Sequence, residues 1–406
     1  MTDNNENKVL NVPPLRFPEF TEEWKAEQLD NIATLSKGIG ISKEQLSEDG
    51  EPCILYGELY TKYKSEIIKQ VESKTDINGS KLKRSKANDV IIPCSGETAV
   101  DIATARCVPF DNILFGGGLN VISLHQYDGA FMSYQLNGKR KYDIARVAQG
   151  VSIVHLYGEH LKAIKTYNPT LPEQQKIAKL LSLLDDRIDT QNKIIEKLQS
   201  LIKGLNDNIH KGIKGETVCF SDLGEAYSGL SGKGGDDFGY GEPFITYMNV
   251  YQNTYISEKD YELVQIAPNE KQNSVQYGDA LFTLSSETPE EVGIGAVYLG
   301  NTQKLYLNSF CFGIHFYDER VLPQYLAHFI SSSSFRRAIY PLAQGSTRFN
   351  LQKNDFMKMK FLLPSLEKQG HIANTLDALH CRLANEKSLT EQYILLKKYL
   401  LSLMFI

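Results

Sequence analysis

The sequence predicts an α+β protein with a pseudo-two-fold internal repeat, built from two tandem mixed α/β heads and two long helices. Three observations lead to this prediction. A block of the chain recurs at an offset of 195 residues, its apolar residues keep a heptad spacing, and short β-type runs precede each copy. We expect the two long helices to pair as an antiparallel coiled coil.

The repeat is clearest between about residue 140 and residue 211, whose counterpart is Ile406. Ala148-Gln149-Gly150 returns as Ala343-Gln344-Gly345. In the same way, Pro169, Leu171 and Gln174 return as Pro364, Leu366 and Gln369. Upstream of residue 140 the offset slips to 190 and the likeness is looser. The helical tails are therefore near copies, whereas the heads share a plan and have diverged.

Four segments follow from the repeat. We predict a first head over residues 1–165, a central helical region over 166–211, a second head over 212–360 and a C-terminal helical region over 361–406. Short β-forming runs such as Val90-Ile91-Ile92 and Ala280-Leu281-Phe282 lie between turn formers in the two heads. These runs indicate that each head mixes strands with helices.

The first tail carries a narrow apolar seam typical of a coiled coil. Gln191 is its one polar member, and the apolar members, in steps of four and three, are Ile177, Leu181, Leu184, Ile188, Ile195, Leu198, Ile202 and Leu205. Pro172 and Glu173 suit a first helical turn, because proline needs no N–H there and a carboxylate favours the positive helix end. At 1.5 Å per residue, the helix to about His210 is roughly 58 Å long.

The second tail repeats the seam with Ile372, Leu376, Leu379 and Leu383. We expect its register to shift by one residue between Leu383 and Leu389. A long helix with a narrow seam needs a partner, and the head between the tails lets the chain return and pair them antiparallel. Pairing between two molecules is the alternative.

Composition indicates a globular protein without membrane segments. Apolar residues make up 42% and charged residues 23% of the chain, and no run of 18 apolar residues occurs. The N-terminal stretch lacks the basic and apolar regions of a secretory leader. The six cysteines form no Cys-x-x-Cys pair, so we expect reduced thiols, a cytoplasmic location and neither a disulfide framework nor a zinc site.

The net charge of −5 is evidence against nucleic-acid binding, because proteins that bind nucleic acids usually have a basic surface. Net charge is an average, however, and local basic runs cover residues 81–86 and 139–141. Lys83 and Arg84 in the first run are candidate phosphate contacts. Solvated surface charge is the alternative for both runs.

No catalytic constellation stands out in the sequence. Asn11-Val12-Pro13-Pro14-Leu15 lacks the spacing and the aromatic residue of an amino-methyltransferase loop. Phe115-Gly116-Gly117-Gly118 lacks the βαβ context of a cofactor loop, and no phosphate-binding loop occurs. The eight histidines have no metal-ligand spacing. We therefore expect a binding protein with no catalytic residues, no metal and no cofactor of its own.

Three polar and aromatic segments recur at equivalent points of the heads, and we predict that they form binding surfaces. Glycine allows close backbone approach, and Gln, Ser, Thr, Asn and Arg suit base edges and phosphates. An ordinary loop is the alternative for each segment alone. The candidates in the first head, with the basic pair, are Tyr56, Glu58, Tyr60, Lys83, Arg84, Ser95, Glu97, Thr98, Gln149, Gly150 and Ser152. Those in the second head are Tyr247, Asn249, Tyr251, Ser285, Ser286, Glu287, Thr288, Gln344, Gly345, Ser346, Thr347 and Arg348.

Signatures at the start of the chain and at the two junctions carry a family resemblance. Three segments resemble the specificity subunits of type I restriction–modification enzymes: the opening from Val12 to Trp24, the junction over residues 169–178 and its repeat over residues 364–373. The Gly345-Ser346-Thr347-Arg348 segment lies upstream of the second junction, as it does in that family. This sequence departs from the pattern at the second junction, which has Glu367-Lys368-Gln369 where the first has Pro172-Glu173-Gln174. It departs again in the first copy, where Ile153 stands in place of the arginine.

This resemblance implies that each head is a target recognition domain for one half of a bipartite double-stranded DNA sequence, and that the paired helices set the spacing. The subunit would not be catalytic. It would dock two modification subunits that carry S-adenosylmethionine and methylate adenine N6, and restriction subunits that use ATP and Mg²⁺. The alternatives are a coiled-coil adaptor whose two heads bind proteins, and a stand-alone nuclease or methyltransferase.

Overall fold

The structure, a computed structural model, describes residues 10–78 and 81–406. Residues 1–9, part of the stretch considered above as a leader, lie outside the described residues. The chain divides into two compact units. Unit 1 comprises Met1–Asn192 with Ser388–Ile406, and unit 2 comprises Lys193–Lys387. Each unit contains one head and a part of each long helix, so the repeat in the sequence corresponds to two units of the fold.

The head of unit 1 is organised around two four-stranded sheets, with strand orders β2-β10-β6-β8 and β4-β3-β9-β5, and around the pairs β1-β12 and β11-β7. The strands are β1 Lys25–Gln28, β2 Ala33–Lys37, β3 Glu51–Ile54, β4 Lys74–Thr75, β5 Lys83–Arg84, β6 Asp89–Pro93, β7 Ser95–Gly96, β8 Arg106–Val108, β9 Leu114–Phe115, β10 Leu119–Leu124, β11 Val154–His155 and β12 Lys165–Asn168. The helices are α1 Leu29–Ile32, α2 Glu58–Thr61, α3 Ala99–Ile102, α4 Gly129–Asn137, α5 Lys141–Val147 and α6 Gly158–Lys162.

Strand β6 organises the core of this head, and all five of its residues are buried. Side chains alternate across a strand. Val90 and Ile92 therefore join one apolar cluster with Ile122, whereas Ile91 joins another with Val121. A strand that is covered on both faces has a continuous apolar sequence, which is why this run could be recognised as a strand.

The head of unit 2 repeats this plan, with a four-stranded sheet β14-β21-β17-β19, three-stranded sheets β16-β15-β20 and β18-β23-β22, and the pair β13-β24. The strands are β13 Glu216–Cys219, β14 Gly224–Ser228, β15 Phe238–Ile245, β16 Tyr261–Val264, β17 Ala280–Thr283, β18 Ser285–Ser286, β19 Gly295–Val297, β20 Tyr306–Leu307, β21 Cys311–Phe316, β22 Ala343–Gln344, β23 Phe349–Leu351 and β24 Lys360–Leu363. The helices are α8 Phe220–Leu223, α9 Tyr247–Gln252, α10 Pro323–Ser331, α11 Ser333–Ile339 and α12 Lys353–Met357. Strand β17 is buried along its whole length, as β6 is in unit 1.

Each head closes on a strand that lies just before its long helix. Strand β12 pairs antiparallel with β1, and β24 pairs antiparallel with β13. The long helices follow as α7 Leu171–Lys211 and α13 Leu366–Leu403. The expected head ends at residues 165 and 360 thus coincide with the first residues of the closing strands, and the helices begin six residues later.

The two long helices pair antiparallel within each unit, as the sequence predicted. In unit 1, Ile177 near the start of α7 shares an apolar cluster with Met404 just beyond α13. In unit 2, Ile209 near the end of α7 shares a cluster with Ile372 near the start of α13. Early residues of one helix therefore meet late residues of the other in both units, which is the antiparallel arrangement.

The predicted seam positions of both helices are all buried or half-buried. The register of α13 does not shift, however, and that part of the prediction is wrong. Beyond Leu383 the steps of four and three continue through Glu386, Thr390, Tyr393 and Lys397. Leu396, which an apolar pattern would favour, is 42% exposed. Because polar side chains occupy the seam, an apolar pattern loses the true register there.

Two further features bear on the composition. Among the described residues, no helix combines the length and the apolar character needed to cross a membrane. All six cysteines are free thiols, and Cys53, Cys107 and Cys311 are buried. Burial raises the pKa of Cys53 to about 11 and that of Cys107 to about 12, so these thiols stay protonated at neutral pH.

Candidate nucleic-acid interface

Each unit has a cleft at the same place in its fold, bordered by a short helix, a two-residue strand and a hairpin. The cleft of unit 1 encloses about 1120 Å³ and is lined by Tyr56, Leu59, Tyr60, Ser95, Gly96, Glu97, Asp101, Thr104, Arg106, Ser152 and Ile153. The cleft of unit 2 encloses about 390 Å³ and is lined by Tyr247, Met248, Tyr251, Ser285, Ser286, Glu287, Glu291, Phe310 and Arg348. The three segments singled out in the sequence therefore meet in each unit.

Paired tyrosines four residues apart form one wall of each cleft. In unit 1, the Tyr60 hydroxyl donates to the carbonyl oxygen of Ser95 at 3.3 Å. In unit 2, the Tyr247 hydroxyl donates to the carbonyl oxygen of Ser285 at 2.8 Å. Burial raises the pKa of Tyr60, so its hydroxyl remains a neutral donor. Each bond ties the short helix to the two-residue strand and holds the aromatic wall in place.

The polar residue between the tyrosines is structural in both units, so its prediction as a surface contact is wrong. Glu58 is 6% exposed, and its carboxylate accepts from the backbone N–H of Leu55 at 2.9 Å and pairs with Lys62 at 2.8 Å. Asn249 is 2% exposed and exchanges hydrogen bonds with the backbone of Ser257 at 2.8 and 3.0 Å. A buried polar group needs such partners, and these two side chains brace the turns that present the tyrosines.

A carboxylate is exposed on the opposite wall of each cleft. Glu97 follows strand β7 and Glu287 follows strand β18, and both are exposed. The threonine after each one lies at the start of a helical turn. Thr98 caps α3 by accepting from the backbone N–H of Asp101 at 3.1 Å, and Thr288 precedes a short 3₁₀ turn. Both glutamates thus line their clefts, two residues after Ser95 and Ser285.

A hairpin closes the third side of each cleft, and its backbone is the same in both units. In unit 1, Gln149 and His155 exchange backbone hydrogen bonds of 2.9 and 2.7 Å. In unit 2, Gln344 pairs with Asn350. The glycine that follows each glutamine has a positive φ, +128° at Gly150 and +141° at Gly345. A Cβ at either glycine would lie within about 2.1 Å of a carbonyl oxygen across the hairpin, so glycine is required.

The predicted hairpin residues differ in position relative to the clefts. Ser152 and Arg348 line the clefts of their units. The remaining predicted hairpin residues, which are Gln149, Gly150, Gln344, Gly345, Ser346 and Thr347, are exposed on the hairpins themselves. All of them lie on the hairpin that borders a cleft, so the segment as a whole belongs to this surface.

The basic pair Lys83 and Arg84 lies elsewhere in unit 1. Both residues form strand β5, at the edge of the second four-stranded sheet. The Arg84 guanidinium makes a two-pronged ion pair with Glu51, at 2.6 and 2.9 Å. Neither residue lines the cleft, and the prediction did not distinguish a structural ion pair from a free basic patch.

The structure adds cleft residues that were not predicted. The clearest is Arg106 on the floor of the unit 1 cleft, 9% exposed, whose guanidinium donates to the carbonyl oxygens of Tyr63 at 2.7 Å and Ala105 at 2.9 Å. Burial lowers the pKa of Arg106 from its usual value. A charged residue between Ala105 and Cys107 was the available signal in the sequence. The others are Leu59, Gly96, Asp101, Thr104, Ile153, Met248, Glu291 and Phe310.

The clefts contain groups suited to contacts with nucleic acid: aromatic faces, hydroxyls, carboxylates and arginine. Aromatic side chains stack on bases, arginine binds base edges or phosphates, and a carboxylate accepts hydrogen bonds from base amino groups. Within the part of the chain that the structure describes, no cluster of three or more His, Cys, Asp or Glu side chains could hold a metal ion. The side chains present are thus suited to binding through stacking, hydrogen bonds and charge.

Comparison with known proteins gives a consistent result over both units. The family model of the type I restriction modification DNA specificity domain matches twice, over residues 21–200 and 215–392. A type I restriction enzyme MjaVIII specificity subunit from Methanocaldococcus jannaschii is 22% identical over 425 aligned positions, covering 96% of this chain and 93% of that protein. Each family match spans one head and most of the long helix that follows it.

Two solved structures share the fold. The S subunit of a type I restriction–modification system from M. genitalium has a TM-score of 0.56 and 14% identity, covering 97% of this chain and 99% of that one. A chain from a structure of the type I R-M system, solved to explain its assembly and conformational transition, has a TM-score of 0.59 and 14% identity, covering 96% and 98%. At this identity the likeness concerns the fold alone.

Proposed function

Because the chain belongs to the type I restriction–modification DNA specificity family, we propose that units 1 and 2 each read one half of a bipartite DNA target through the clefts. Recognition of a DNA target is the function of the family's specificity domain, and this chain contains that domain twice. We propose in addition that the clefts are the surfaces that read the DNA, and that each unit reads one half of the target.

The pair of clefts is the observation that supports this proposal. Both are built by the same three elements, and both offer two tyrosines and an exposed glutamate, Glu97 or Glu287. The rest of the lining differs, with Arg106 and Ile153 in unit 1 and Phe310 and Arg348 in unit 2. Base edges are read by side chains, so two clefts with one frame and different linings suit two different half-sequences.

The long helices are proposed to set the distance between the half-sites and to dock partners. Helix α7 has 41 residues and α13 has 38, which corresponds to roughly 60 Å at 1.5 Å per residue. Both helices contribute to both units. A pair of rigid helices that is continuous with both heads would fix the half-site spacing better than a flexible linker would.

In this proposal the subunit is not catalytic, and the chemistry belongs to its partners. Two modification subunits would bring S-adenosylmethionine and methylate adenine N6, and restriction subunits would use ATP and Mg²⁺. The complex would act in the cytoplasm, where its DNA is. The net charge of −5 is consistent with this assignment, because the partners would supply much of the phosphate contact that binding to DNA needs.

Exchange of one head tests the proposal. Residues 1–170, which end just before α7, would be replaced by those of a related specificity subunit, and the hybrid would be produced with the modification subunits. Sequencing of methylated adenines should then show one new half-sequence beside one unchanged half and an unchanged spacing.

The reciprocal exchange, of residues 212–365, serves as the control and should change the other half only. A methylated sequence that both exchanges leave unaltered would contradict the proposal. Equal affinity of the native complex for target and scrambled duplexes at physiological salt would favour the adaptor with two protein-binding heads instead.

A further inference from the structure

The tips of the two hairpins carry side chains of opposite character. Residues 151–153 form the tip in unit 1, and residues 346–348 form it in unit 2. Val151 is 97% exposed and Ile153 is 60% exposed. Their counterparts at the offset of 195 are Ser346 and Arg348, both exposed and polar. The same hairpin therefore presents apolar side chains in one unit and a hydroxyl and a guanidinium in the other.

Ile153 and Arg348 occupy equivalent places at the two clefts. Both follow a positive-φ glycine by three residues, and the carbonyl oxygen of each would lie about 2 Å from a Cβ added at that glycine. Each side chain lines the cleft of its unit. Because the hairpin backbone and the elements that border the cleft correspond, the side chain at this position would meet the same region of a bound duplex in each unit.

The apolar tip of unit 1 needs an apolar partner. A branched aliphatic side chain gains nothing from a phosphate, and two such side chains exposed on one hairpin tip are stabilised when an apolar group covers them. On the base edges of the major groove, the 5-methyl group of thymine is the apolar group that is available. The adjacent cleft wall, with Leu59 and Tyr60, is compatible with such a contact.

We propose that Ile153, assisted by Val151, is a specificity-determining residue of unit 1 that contacts the thymine methyl group, whereas Arg348 in unit 2 makes a charged contact. This inference rests on the proposed function and deepens it by assigning different recognition chemistry to the two half-sites. Unit 1 selects T·A pairs at the contacted position by burial of a methyl group. At the equivalent position of unit 2, Arg348 donates a charge-assisted, salt-dependent hydrogen bond to a phosphate or a guanine.

The test removes the methyl group from the DNA and its partner from the protein. The complex of this chain with the modification subunits is used, with a target defined by sequencing of methylated adenines. Each thymine in the half-site of unit 1 is replaced singly by deoxyuridine, which lacks only the 5-methyl group. At one or two positions the native complex should bind about fourfold more weakly, the effect expected for one buried methyl group.

The Ile153→Ala complex should bind the thymine duplex more weakly than the native complex does, and it should no longer distinguish thymine from deoxyuridine at those positions. Ile153→Ser, which removes both apolar branches and resembles Ser346 at the other hairpin tip, serves as a second variant should the alanine variant fold poorly. Arg348→Ala is the matched control. It should keep the thymine preference in the unit 1 half-site, and it should lower the slope of log K against log salt by about one, which Ile153→Ala should not do.

Three outcomes would overturn the inference. One is that no thymine position responds to loss of the methyl group. Another is that Ile153→Ala responds to deoxyuridine as fully as the native complex does. The third is that Ile153→Ala weakens assembly with the modification subunits while base preference is kept, which would make the tip a protein contact. If the native complex fails to prefer its target over a scrambled duplex, the proposed function fails as well, so the two failures are distinguishable.

Discussion

The side-chain oxygen of Gln369 accepts a hydrogen bond from the backbone N–H of Leu322 at 2.7 Å, and this contact ties the start of α13 to the residue that precedes α10. The amide nitrogen of Gln369 donates to the carbonyl oxygens of Pro364 and Arg320, each at 2.9 Å. The side chain is fully buried. One glutamine therefore satisfies three backbone groups at the point where head and helix meet.

Gln174 makes the same junction in unit 1, where it accepts from the backbone N–H of Asp128 at 2.9 Å and donates to the carbonyl oxygen of Pro169 at 2.8 Å. We expect Gln369→Ala and Gln174→Ala each to lower the free energy of unfolding by about 2 kcal/mol or more, because buried backbone groups lose their partners. Urea denaturation of the full chain measures this. Gln199→Ala, at an exposed position of α7, is the control and should have little effect. Losses below about 0.5 kcal/mol at the junction positions would contradict this account.

Lys397 is the clearest polar residue in the seam of α13. Its ammonium lies 2.6 Å from Asp185 and 2.5 Å from Glu66, and the three side chains are 16%, 7% and 11% exposed. Asp185 also accepts from the Tyr134 hydroxyl at 2.6 Å. Loss of the ammonium would leave two carboxylates close together and mostly buried.

Lys397→Ala should therefore destabilise unit 1 by about 3 kcal/mol, as expected when one member of a buried ion pair is removed. Lys398→Ala, the exposed neighbour on the same helix, should change stability by less than about 0.5 kcal/mol. Chemical denaturation of both variants gives the comparison. Equal stability of the two variants would mean that the seam contact is not structural.

The helices and their junctions show which features of the fold could be predicted from the sequence and which could not. The repeated glutamine and the apolar steps of four and three were visible in the sequence, so the helices and their antiparallel pairing could be predicted. The register beyond Leu383 could not, because the polar residues Glu386, Thr390 and Lys397 take seam positions there and an apolar pattern does not include them.

The residues that line the clefts could likewise be predicted only in part. The segments that form the clefts could be identified because each of them recurs in both heads, as expected for a binding surface that the chain contains twice. It could not separate Tyr56, which faces the cleft, from Glu58, which turns inward and caps the backbone of its own loop. It also missed Arg106, whose placement depends on how β8 pairs with β6 in the sheet.

Unit 2 should lose stability as the pH falls, because it buries neutral histidines at the junction of head and helices. His328 is 1% exposed, lies 2.7 Å from Asp377 and 3.4 Å from the Tyr255 hydroxyl, and stacks on His380. Burial is the main cause that lowers the pKa of His328. It is also the main cause that lowers the pKa of His210 and of His380. Although Asp377 acts in the opposite direction, the net direction is downward because His328 is almost fully enclosed.

A lowered pKa in the folded state means that the unfolded chain binds protons first. This contribution to stability is complete above a pH of about 6.5, the usual histidine value, and declines as the pH drops below it. Each such histidine can contribute up to about 1.4 kcal/mol per pH unit over that window. Thermal unfolding between pH 7.5 and 5.5 should show a decline in the native chain that His328→Gln reduces. His371→Gln, at a histidine of α13 that is 78% exposed, should keep the full decline. If the His328 variant kept it too, this histidine would not be responsible.

The exposed glutamates of the clefts offer a test that separates base reading from simple charge. Glu97 and Glu287 are carboxylates on surfaces proposed to face a polyanion. Such a group repels phosphates, and it is useful when it accepts a hydrogen bond from a base amino group, as with cytosine N4. Removing its charge should therefore affect specific and non-specific binding in opposite directions.

In the assembled complex, Glu97→Gln should tighten binding to scrambled duplexes and weaken discrimination at one base pair of one half-site by about 1–3 kcal/mol. Glu287→Gln should do the same in the other half-site. Glu196→Gln, exposed on α7 away from both clefts, is the control for charge alone. Competition binding against singly altered duplexes gives both quantities. A variant that tightens all binding and keeps full discrimination would show that the glutamate does not read a base.

The last prediction concerns the proposed role of the long helices in spacing the half-sites. Residues 189–195 of α7 and 384–390 of α13 are one heptad each, and they correspond at the offset of 195. Removing both heptads preserves the steps of four and three in each seam and shortens each helix by about 10 Å. At 3.4 Å per base pair, the spacing between the half-sites should fall by about three base pairs, while both half-sequences stay the same. Sequencing of adenines methylated by the shortened complex provides the measurement. Removing residues 189–195 alone is the control, and it should impair assembly because one helix then no longer matches the other. An active, doubly shortened complex that methylates the original spacing would rule out the helices as the spacing element.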